Sequence, residues 1–290
     1  MKQLTQPFKW LGSKCRMRSR LLEIINTIPR KLYVEPFGGS GAMFFGKEPE
    51  QSIYNDRERL LVNFFRELRK ESSRRAIQTL ADVTPGCKLF FRELRELCLR
   101  FANGEDCSEL VRELKLDDYP VEVAVAFAFF YVQNFVFGGK PLDSFGRQRN
   151  GKSAFLPNVY RRNVTRLADF AEKLLLTQVN NSDYREVLGY YDNATTLFYC
   201  DPPYESETSK DYTQTWTSDD TKDLVNILLS LKGSFVLSCY DGDLYKPLEA
   251  ICEKRVYRAV TSCSRNKDAR KEREECVYIK NNSAMLLFKK

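Results

Sequence analysis

Hydrophobic and polar positions follow two different periods along the chain. Near both ends, short runs of apolar and β-branched residues are bounded by turn-forming residues, which is typical of buried strands. These predicted strands cover residues 31–34, 52–54, 175–180, 195–200, 234–239, 254–260 and 275–280. Apolar residues recur instead with helical spacing over residues 58–80, 90–101, 164–174 and 219–231. The pattern predicts an α/β fold with a mostly helical middle.

The helical middle is expected to be an insertion into a Rossmann-like sheet, because strands and helices alternate on both sides of it. The apolar stretch from Val121 to Phe137 contains three polar residues and is short for a membrane span, so we expect a buried helix there. We predict a discontinuous catalytic domain of residues 1–59 and 161–290, and a helical lobe of residues 60–160.

The tetrad Asp201-Pro202-Pro203-Tyr204 follows a predicted buried strand, and α/β proteins place their chemistry at the carboxyl ends of such strands. Asp201 offers a carboxylate that can accept a hydrogen bond from an aromatic amine. The two prolines lack N–H groups and fix φ, so the Pro202 carbonyl can point at the same amine from a stiff loop. Tyr204 offers a flat face for stacking a base. The alternative interpretation is a strand that ends in an ordinary turn.

A glycine-rich loop, Pro36-Phe37-Gly38-Gly39-Ser40-Gly41, follows the first predicted strand. Three glycines let the backbone turn sharply and approach a ligand. Asp56 follows the next strand, where its carboxylate can accept both hydroxyls of a ribose. The spacing is not that of GxGxxG, and there is no phosphate-binding lysine. A nucleoside-type cofactor is therefore favoured over a dinucleotide or ATP, although such a loop followed by an acid is equally often structural.

Five short motifs, taken in order, resemble those of the Dam-like DNA adenine-N6 methyltransferases, the D12 class. They are Lys9-Trp10-Leu11-Gly12-Ser13-Lys14, residues 35–41, Asn55-Asp56, Asn181-Ser182-Asp183-Tyr184 and the tetrad at 201–204. The resemblance spans residues 7 to about 280. It implies an enzyme that uses S-adenosyl-L-methionine (AdoMet) to methylate N6 of a flipped-out adenine in double-stranded DNA at a specific short sequence.

The resemblance also implies the residues of the site. Asp56 would bind the ribose of AdoMet, and Asp183 with Tyr184 its adenine ring. The complete implied cofactor set is Trp10, Lys14, Pro36, Phe37, Gly38, Gly39, Ser40, Gly41, Asp56, Asp183, Tyr184 and Asp201. The implied catalytic set is Asp201, Pro202, Pro203 and Tyr204.

A basic segment within the insertion is a candidate for DNA contact. From Ser144 to Ala168 there is no acidic residue. Residues 146–152 are predicted to form a hairpin tip, since Asn-Gly favours tight turns. Arg, Gln and Asn side chains can pair with base edges in the major groove. The expected DNA-binding residues are Arg147, Gln148, Arg149, Asn150, Lys152, Arg161 and Arg162. The segment differs from the motif of GATC-specific members, so GATC is not implied, and a solvated basic loop is the alternative.

Composition narrows the chemistry. The formal net charge of +7 suits a polyanionic partner. The absence of histidine excludes imidazole catalysis and histidine-containing zinc sites, and we expect no metal. Nine cysteines without a CxxC pair are typical of reduced thiols. No secretory signal or membrane span is expected. We therefore predict a cytoplasmic, nucleoid-associated protein of bacterial or phage-like type.

Three alternatives to adenine methylation stay open at the level of the sequence. The same fold and tetrad serve enzymes that methylate cytosine N4, RNA bases or glutamine amides. A non-catalytic DNA-binding module is disfavoured because every expected AdoMet and catalytic position is filled. A protein-interaction scaffold has only the generic composition in its favour. The recognition sequence, a partner restriction nuclease and the oligomeric state are not specified by these motifs.

Overall fold

A seven-stranded sheet organises the fold. The computed structural model describes residues 4–146, 156–203, 216–260 and 272–282. The strands are β1 (Leu32–Glu35), β2 (Ser52–Asn55), β3 (Thr177–Asn180), β4 (Thr196–Cys200), β5 (Ser234–Tyr240), β6 (Glu253–Val260) and β7 (Glu272–Lys280). Their order is β3-β2-β1-β4-β5-β7-β6. β1 pairs in parallel with β2 and β4, β4 pairs in parallel with β5, and β7 is antiparallel to β5 and β6.

Helices account for most of the remaining described chain. They are α1 (Arg18–Thr27), α2 (Arg59–Arg69), α3 (Glu71–Val83), α4 (Lys88–Asn103), α5 (Ser108–Glu113), α6 (Val121–Phe135), α7 (Leu156–Val164), α8 (Leu167–Lys173), α9 (Tyr184–Tyr190) and α10 (Ser218–Ser230). Short 3₁₀ segments lie at Lys14–Arg16, Phe44–Gly46 and Asp243–Ala250. The seven predicted strands are all present, and the predicted mixed α/β class is confirmed.

By its internal contacts the chain divides into two compact units. The first unit comprises residues 1–18, 39–49 and 56–181, and the second comprises residues 19–38, 50–55 and 182–290. The predicted lobe of residues 60–160 falls within the first unit. The segments predicted as the catalytic domain are distributed over both units.

Helix α6 forms the centre of the first unit. Every residue from Val123 to Phe135 is buried, as the apolar sequence predicts. Helices α2, α3, α4 and α7 pack against it, and the Phe64 ring of α2 stacks on Phe130 with centroids 5.6 Å apart. The predicted buried helix is thus confirmed. Among the described residues, no helix combines the length and the apolar character that a membrane crossing requires.

The helix predicted over residues 58–80 is wrong at its middle. The chain is extended at Lys70 (φ −77°, ψ 125°), which separates α2 from α3. The Glu67 carboxylate accepts hydrogen bonds from Lys70 Nζ at 2.6 Å and from Ser73 Oγ at 2.7 Å across this break. Residues 69–75 contain no apolar side chain, so hydrophobic periodicity carried no signal there.

The observed helices differ from the predicted ones in their bounds and in their number. The helix expected over residues 164–174 is confined to α8, because Arg166 precedes it in a non-helical conformation. Helices α1, α5, α7 and α9 were not predicted. By contrast, the helix predicted over residues 90–101 is present as α4, which ends at Asn103 before Gly104 in the left-handed conformation at φ 80°.

The core of the second unit lies between the sheet and the helices α9 and α10. Residues from adjacent strands, including Val34, Phe198 and Phe235, are buried against Leu188 and Leu224 of these helices. Helix α10 begins with a capping box in which Thr217 and Asp220 exchange side-chain and backbone hydrogen bonds. This packing holds the central parallel strands, whose carboxyl ends carry the candidate site.

Candidate active site

The carboxyl ends of β1 and β4, two adjacent parallel strands of the second unit, lead into predicted site residues. β1 has β2 on one side and β4 on the other, so the strand order reverses at β1. The chain leaves β1 into the glycine-rich loop and leaves β4 into Asp201. Ligands of α/β proteins bind at such a switch point. Parallel pairing therefore brings two motifs that are 165 residues apart (36 to 201) to one edge of the sheet.

Gly38 is sterically required in the loop after β1. Its N–H donates to the Asn55 carbonyl oxygen at 2.7 Å, which holds the loop close to β2. A Cβ atom at this position would lie 2.2 Å from Cε2 of Tyr54, and the Tyr54 ring is completely buried. Only glycine allows this close approach of the loop to the Tyr54 ring.

Asn55 was not among the predicted site residues, although it stands beside Asp56 in the motif. Its side chain is 1% exposed. The amide Nδ2 donates to the carbonyls of Pro36 at 2.9 Å and Ser182 at 3.1 Å, and Oδ1 accepts the Ser182 N–H at 2.9 Å. The end of β2 thus contacts the glycine-rich loop and the segment that leads to Asp183.

Phe37, Tyr184 and Trp216 form an aromatic cluster in the second unit. The Phe37 and Tyr184 rings are 5.1 Å apart, and Trp216 lies 5.6 Å from Phe37 and 5.3 Å from Tyr184. The Tyr184 hydroxyl donates to the Asp220 carbonyl at 3.1 Å, and the Arg185 guanidinium lies 4.6 Å from its ring centroid. Tyr184 is 4% exposed, whereas Phe37 is partly exposed. Sequence reasoning missed Trp216, because a single tryptophan outside the motifs has no characteristic spacing.

Asp183 is the N-cap residue of α9. Its carboxylate accepts the Arg185 N–H at 2.9 Å. The Arg185 guanidinium in turn pairs with Asp220 at 2.9 Å and Asp223 at 2.8 Å. These pairs connect the beginnings of α9 and α10 and fix the orientation of the Asp183 side chain.

Asp56 lies in the first unit and accepts backbone hydrogen bonds. Its carboxylate oxygens accept the N–H groups of Gly39 at 2.7 Å and Glu58 at 2.8 Å. The Asn181 amide donates to the Asp56 carbonyl at 2.8 Å. Burial raises the pKa of Asp56 to about 6, and the backbone N–H groups of Glu58, Gly39 and Arg57 oppose that rise. The residue as a whole remains partly exposed.

Trp10, Ser40 and their neighbours form another part of the first unit. A Cβ atom on Gly39, which has φ 51°, would lie 3.5 Å from Trp10 Nε1. Gln6 accepts hydrogen bonds from Ser40 Oγ at 2.8 Å and Ser13 Oγ at 2.5 Å. Gln6 therefore connects the segment of the first motif to the glycine-rich loop, a role that no motif indicated.

The remaining cofactor candidates of the first unit are also well packed. Lys14 is 6% exposed and lies in the 3₁₀ segment Lys14–Arg16. Gly41 has φ 72°, and a Cβ there would lie 2.6 Å from the Phe45 ring. Gln133 of α6 donates to the carbonyls of Lys9 at 2.9 Å and Gly139 at 3.1 Å. Helix α6 thereby anchors the chain next to Trp10 by hydrogen bonds.

Asp201, Pro202 and Pro203 directly follow β4, as predicted. Asp201 is partly exposed and Pro202 is buried. Beneath them Tyr199 is buried, and burial together with the Asp201 carboxylate raises the pKa of its hydroxyl well above the usual range. Tyr199 is therefore a neutral phenol. Tyr204 lies outside the described residues.

Two of the predicted DNA-binding residues are described. Arg161 and Arg162 are exposed on α7, so this part of the basic segment is helical. At the beginning of the basic segment, Phe145 makes an antiparallel bridge with Val136. The other predicted DNA contacts, Arg147, Gln148, Arg149, Asn150 and Lys152, lie outside the described residues.

Acidic and thiol groups do not gather into a metal site in the described part of the chain. No cluster of three or more Cys, Asp or Glu side chains suited to a metal ion occurs there. The described cysteines are free thiols, and several are buried in the sheet.

A family model of the D12 class N6 adenine-specific DNA methyltransferases matches residues 10–262. The match includes the glycine-rich loop, Asp56, the Asp183 segment and the tetrad at 201–204, and it covers most of the chain. Membership implies the use of AdoMet as methyl donor and DNA as substrate. The chain belongs to the D12 class of N6 adenine-specific DNA methyltransferases and catalyses AdoMet-dependent methylation of adenine in DNA.

Proposed function

We propose that the enzyme methylates an adenine flipped out of double-stranded DNA at a specific short sequence, with the reaction at the carboxyl ends of β1 and β4. The observation that carries this proposal is the placement of the glycine-rich loop and Asp201 after two adjacent parallel strands. The loop would hold the cofactor, and Asp201 and the Pro202 carbonyl would offer acceptors to the target amine at the end of the adjacent strand. A DNA substrate also favours a cytoplasmic location.

The cofactor residues proposed in the first unit are Trp10, Lys14, Gly39, Ser40, Gly41 and Asp56. Those in the second unit are Pro36, Phe37, Gly38, Asp183, Tyr184 and Asp201. The Asp56 carboxylate is held by backbone N–H groups, and because a carboxylate has about four acceptor sites, it keeps acceptor capacity for a ribose hydroxyl. Tyr184 is buried, and we assign it the role of supporting Phe37, whose more exposed ring can pack on the adenine.

AdoMet affinity is expected to fall as the pH drops through about 6. Burial raises the pKa of Asp56 to about 6, so the free enzyme carries a half-protonated group at that pH. The charged form is the better acceptor for ribose hydroxyls, and binding must therefore release a proton. Below the pKa, affinity should fall by about tenfold per pH unit, since each unit costs 1.36 kcal/mol. Calorimetric titration between pH 5 and 8 would measure this.

The raised pKa of Asp56 also makes the stability of the free enzyme depend on pH. Because the folded pKa of Asp56 is raised, its contribution to stability is greatest below the unfolded value and is lost as the pH rises through about 6. With AdoMet bound, stability should no longer fall as the pH rises through about 6, because AdoMet binds the charged form of Asp56. Asp56→Ala should remove the pH dependence of binding, and a flat profile in the native enzyme would contradict the proposed contact.

Asp201 and the Pro202 carbonyl are proposed to act on the target amine. The lone pair of an aromatic amine is delocalised into the ring, and hydrogen-bond acceptors localise it on the nitrogen. AdoMet would supply the methyl group: the new N–C bond would form as the methyl–sulfur bond breaks, the sulfur would leave as a neutral thioether, and one amine proton would be released to solvent. Positioning and electrostatics provide most of the acceleration. Tyr204 would stack on the base and offset part of the flipping cost.

The residues 60–160 are proposed to read the target sequence. Arg147, Gln148, Arg149 and Asn150 would pair with base edges, whereas Lys152, Arg161 and Arg162 would contact phosphates. The exposure of both arginines on α7 supports the second part of this assignment.

Replacement of Arg161 or Arg162 by alanine should weaken binding to all DNA sequences alike. Each lost phosphate contact should lower the slope of log affinity against log salt by about one unit. Arg147→Ala and Arg149→Ala should instead cost about 1–3 kcal/mol on the proper site and relax discrimination at one base position. Affinities on the specific site and its single-base variants, at several salt concentrations, would separate the classes. If all four variants behave alike, the base-reading residues lie elsewhere.

The proposed substrate is tested by methyl transfer to matched duplex DNA, single-stranded DNA and RNA. We expect the duplex to be the best acceptor and the product to be N6-methyladenine, with activity unaffected by chelators. Preference for the single strand or RNA would contradict the flipping proposal. Single-molecule sequencing of DNA from cells expressing the chain would then identify the methylated sequence, which is also the sequence that a partner restriction nuclease would have to recognise.

A further inference from the structure

Asn55 is a buried residue whose polar atoms all contact backbone at the candidate site. Both Nδ2 hydrogens are used, one by the Pro36 carbonyl at 2.9 Å and the other by the Ser182 carbonyl at 3.1 Å. Oδ1 accepts the Ser182 N–H at 2.9 Å, and the Asn55 backbone carbonyl accepts the Gly38 N–H at 2.7 Å. Asn55 therefore makes four hydrogen bonds to two segments. In the sequence, Pro36 lies 19 positions away and Ser182 lies 127 positions away.

The two segments are those that carry proposed cofactor residues of the second unit. Pro36 and Gly38 flank Phe37, and Ser182 directly precedes Asp183. Pro36 has no N–H group, so its carbonyl is the only backbone group by which this residue can be anchored. Asn55 thus acts on the positions of Phe37 and Asp183 without itself being part of the proposed contact set.

The chemistry at this position admits few alternatives to asparagine. Two backbone carbonyls require donors and one N–H requires an acceptor, which a primary amide provides at once. Aspartate retains the acceptor but cannot donate when ionised. Leucine has a similar size but leaves the carbonyls of Pro36 and Ser182 and the Ser182 N–H without this partner, and unpaired buried polar groups are costly.

We infer that Asn55 is a positioning residue for AdoMet binding, which sets the geometry between the glycine-rich loop and the Asp183 segment. This inference rests on the proposed cofactor site. Four hydrogen bonds from one residue hold the two segments at a fixed spacing, so both are preorganised for the cofactor, and preorganisation strengthens binding.

The test compares Asn55→Leu with a structural control, Tyr131→Phe. The Tyr131 hydroxyl also anchors a distant loop, because it accepts the Cys87 N–H at 2.8 Å and donates to the Pro85 carbonyl at 2.9 Å. Both substitutions remove a buried polar anchor and retain most of the volume. Both should lower the melting temperature. Only Asn55→Leu should raise the Kd and the KM for AdoMet, by about tenfold or more, while kcat at saturating AdoMet falls much less.

Asn55→Asp serves if the leucine variant does not fold, because it keeps the shape and the acceptor and removes only the two donors. It should raise the AdoMet Kd in the same direction. Asp56→Ala is measured alongside as a variant of the proposed cofactor set. If Asp56→Ala weakens AdoMet binding but the Asn55 variants resemble Tyr131→Phe, the positioning role is overturned and the cofactor site stands. If neither Asp56→Ala nor the Asn55 variants affect AdoMet binding, both assignments fail.

Discussion

Replacement of Asp201 by alanine is expected to lower the rate of methyl transfer by about a thousandfold, the upper range for losing one group that stabilises a transition state. Asp201 follows β4 directly, next to the buried Pro202, so its carboxylate is presented from a stiff segment. The carboxylate acts mainly on the reacting amine. The Kd values for AdoMet and DNA should therefore stay within about tenfold of the native values, which equilibrium binding and single-turnover rates would establish.

Asp201→Asn is the matched control for this result. It keeps one acceptor oxygen, replaces the other with an NH2 group and removes the charge, so it should retain more activity than the alanine variant. Appreciable turnover by Asp201→Ala would move the chemistry to another residue. Equal loss in both variants would mean that the charge, and not the hydrogen bond, is what the amine requires.

Asp56→Ala is expected to weaken AdoMet binding by about 1.5–3 kcal/mol, the range for hydrogen bonds to charged groups. The carboxylate also accepts the Gly39 and Glu58 N–H groups, so its removal frees these two backbone donors and also removes the proposed ribose contact. DNA affinity should change little. Calorimetry for AdoMet and fluorescence anisotropy for DNA would measure both quantities on the same variant.

A second variant separates cofactor binding from local stability. Glu58 is the N-cap residue of α2, and its carboxylate accepts the Leu60 N–H at 3.2 Å. Glu58→Ala should lower stability by about 1 kcal/mol, as the loss of a helix cap does, and leave the AdoMet Kd unchanged. If Asp56→Ala behaves like Glu58→Ala, or weakens DNA binding instead of AdoMet binding, the glycine-rich loop and Asp56 are structural.

The sequence alone determined the features that depend on local patterns. Runs of apolar and β-branched residues located all seven strands. The signal is strongest for the buried parallel strands β1, β4 and β5, which require such a run wherever they lie in the fold. The glycine-rich character of the loop was also visible in the sequence, whereas the need for glycine at position 38 follows from a tertiary contact with the buried Tyr54 ring. Motif order was sufficient to identify the family, because five spaced motifs constrain the chemistry more tightly than any one of them.

Tertiary structure decided what depends on residues distant in the sequence. The break at Lys70 falls in a polar stretch where periodicity has no content, and it involves the hydrogen bonds of Glu67. The burial of Tyr184 under Phe37 and Trp216 follows from packing in the second unit. The hydrogen bonds of Asn55 join strand ends that become neighbours only when β1 and β2 pair and the chain returns at Ser182. The spacing of residues along the chain does not predict these contacts, because the partners are distant in the sequence and become neighbours only in the folded structure.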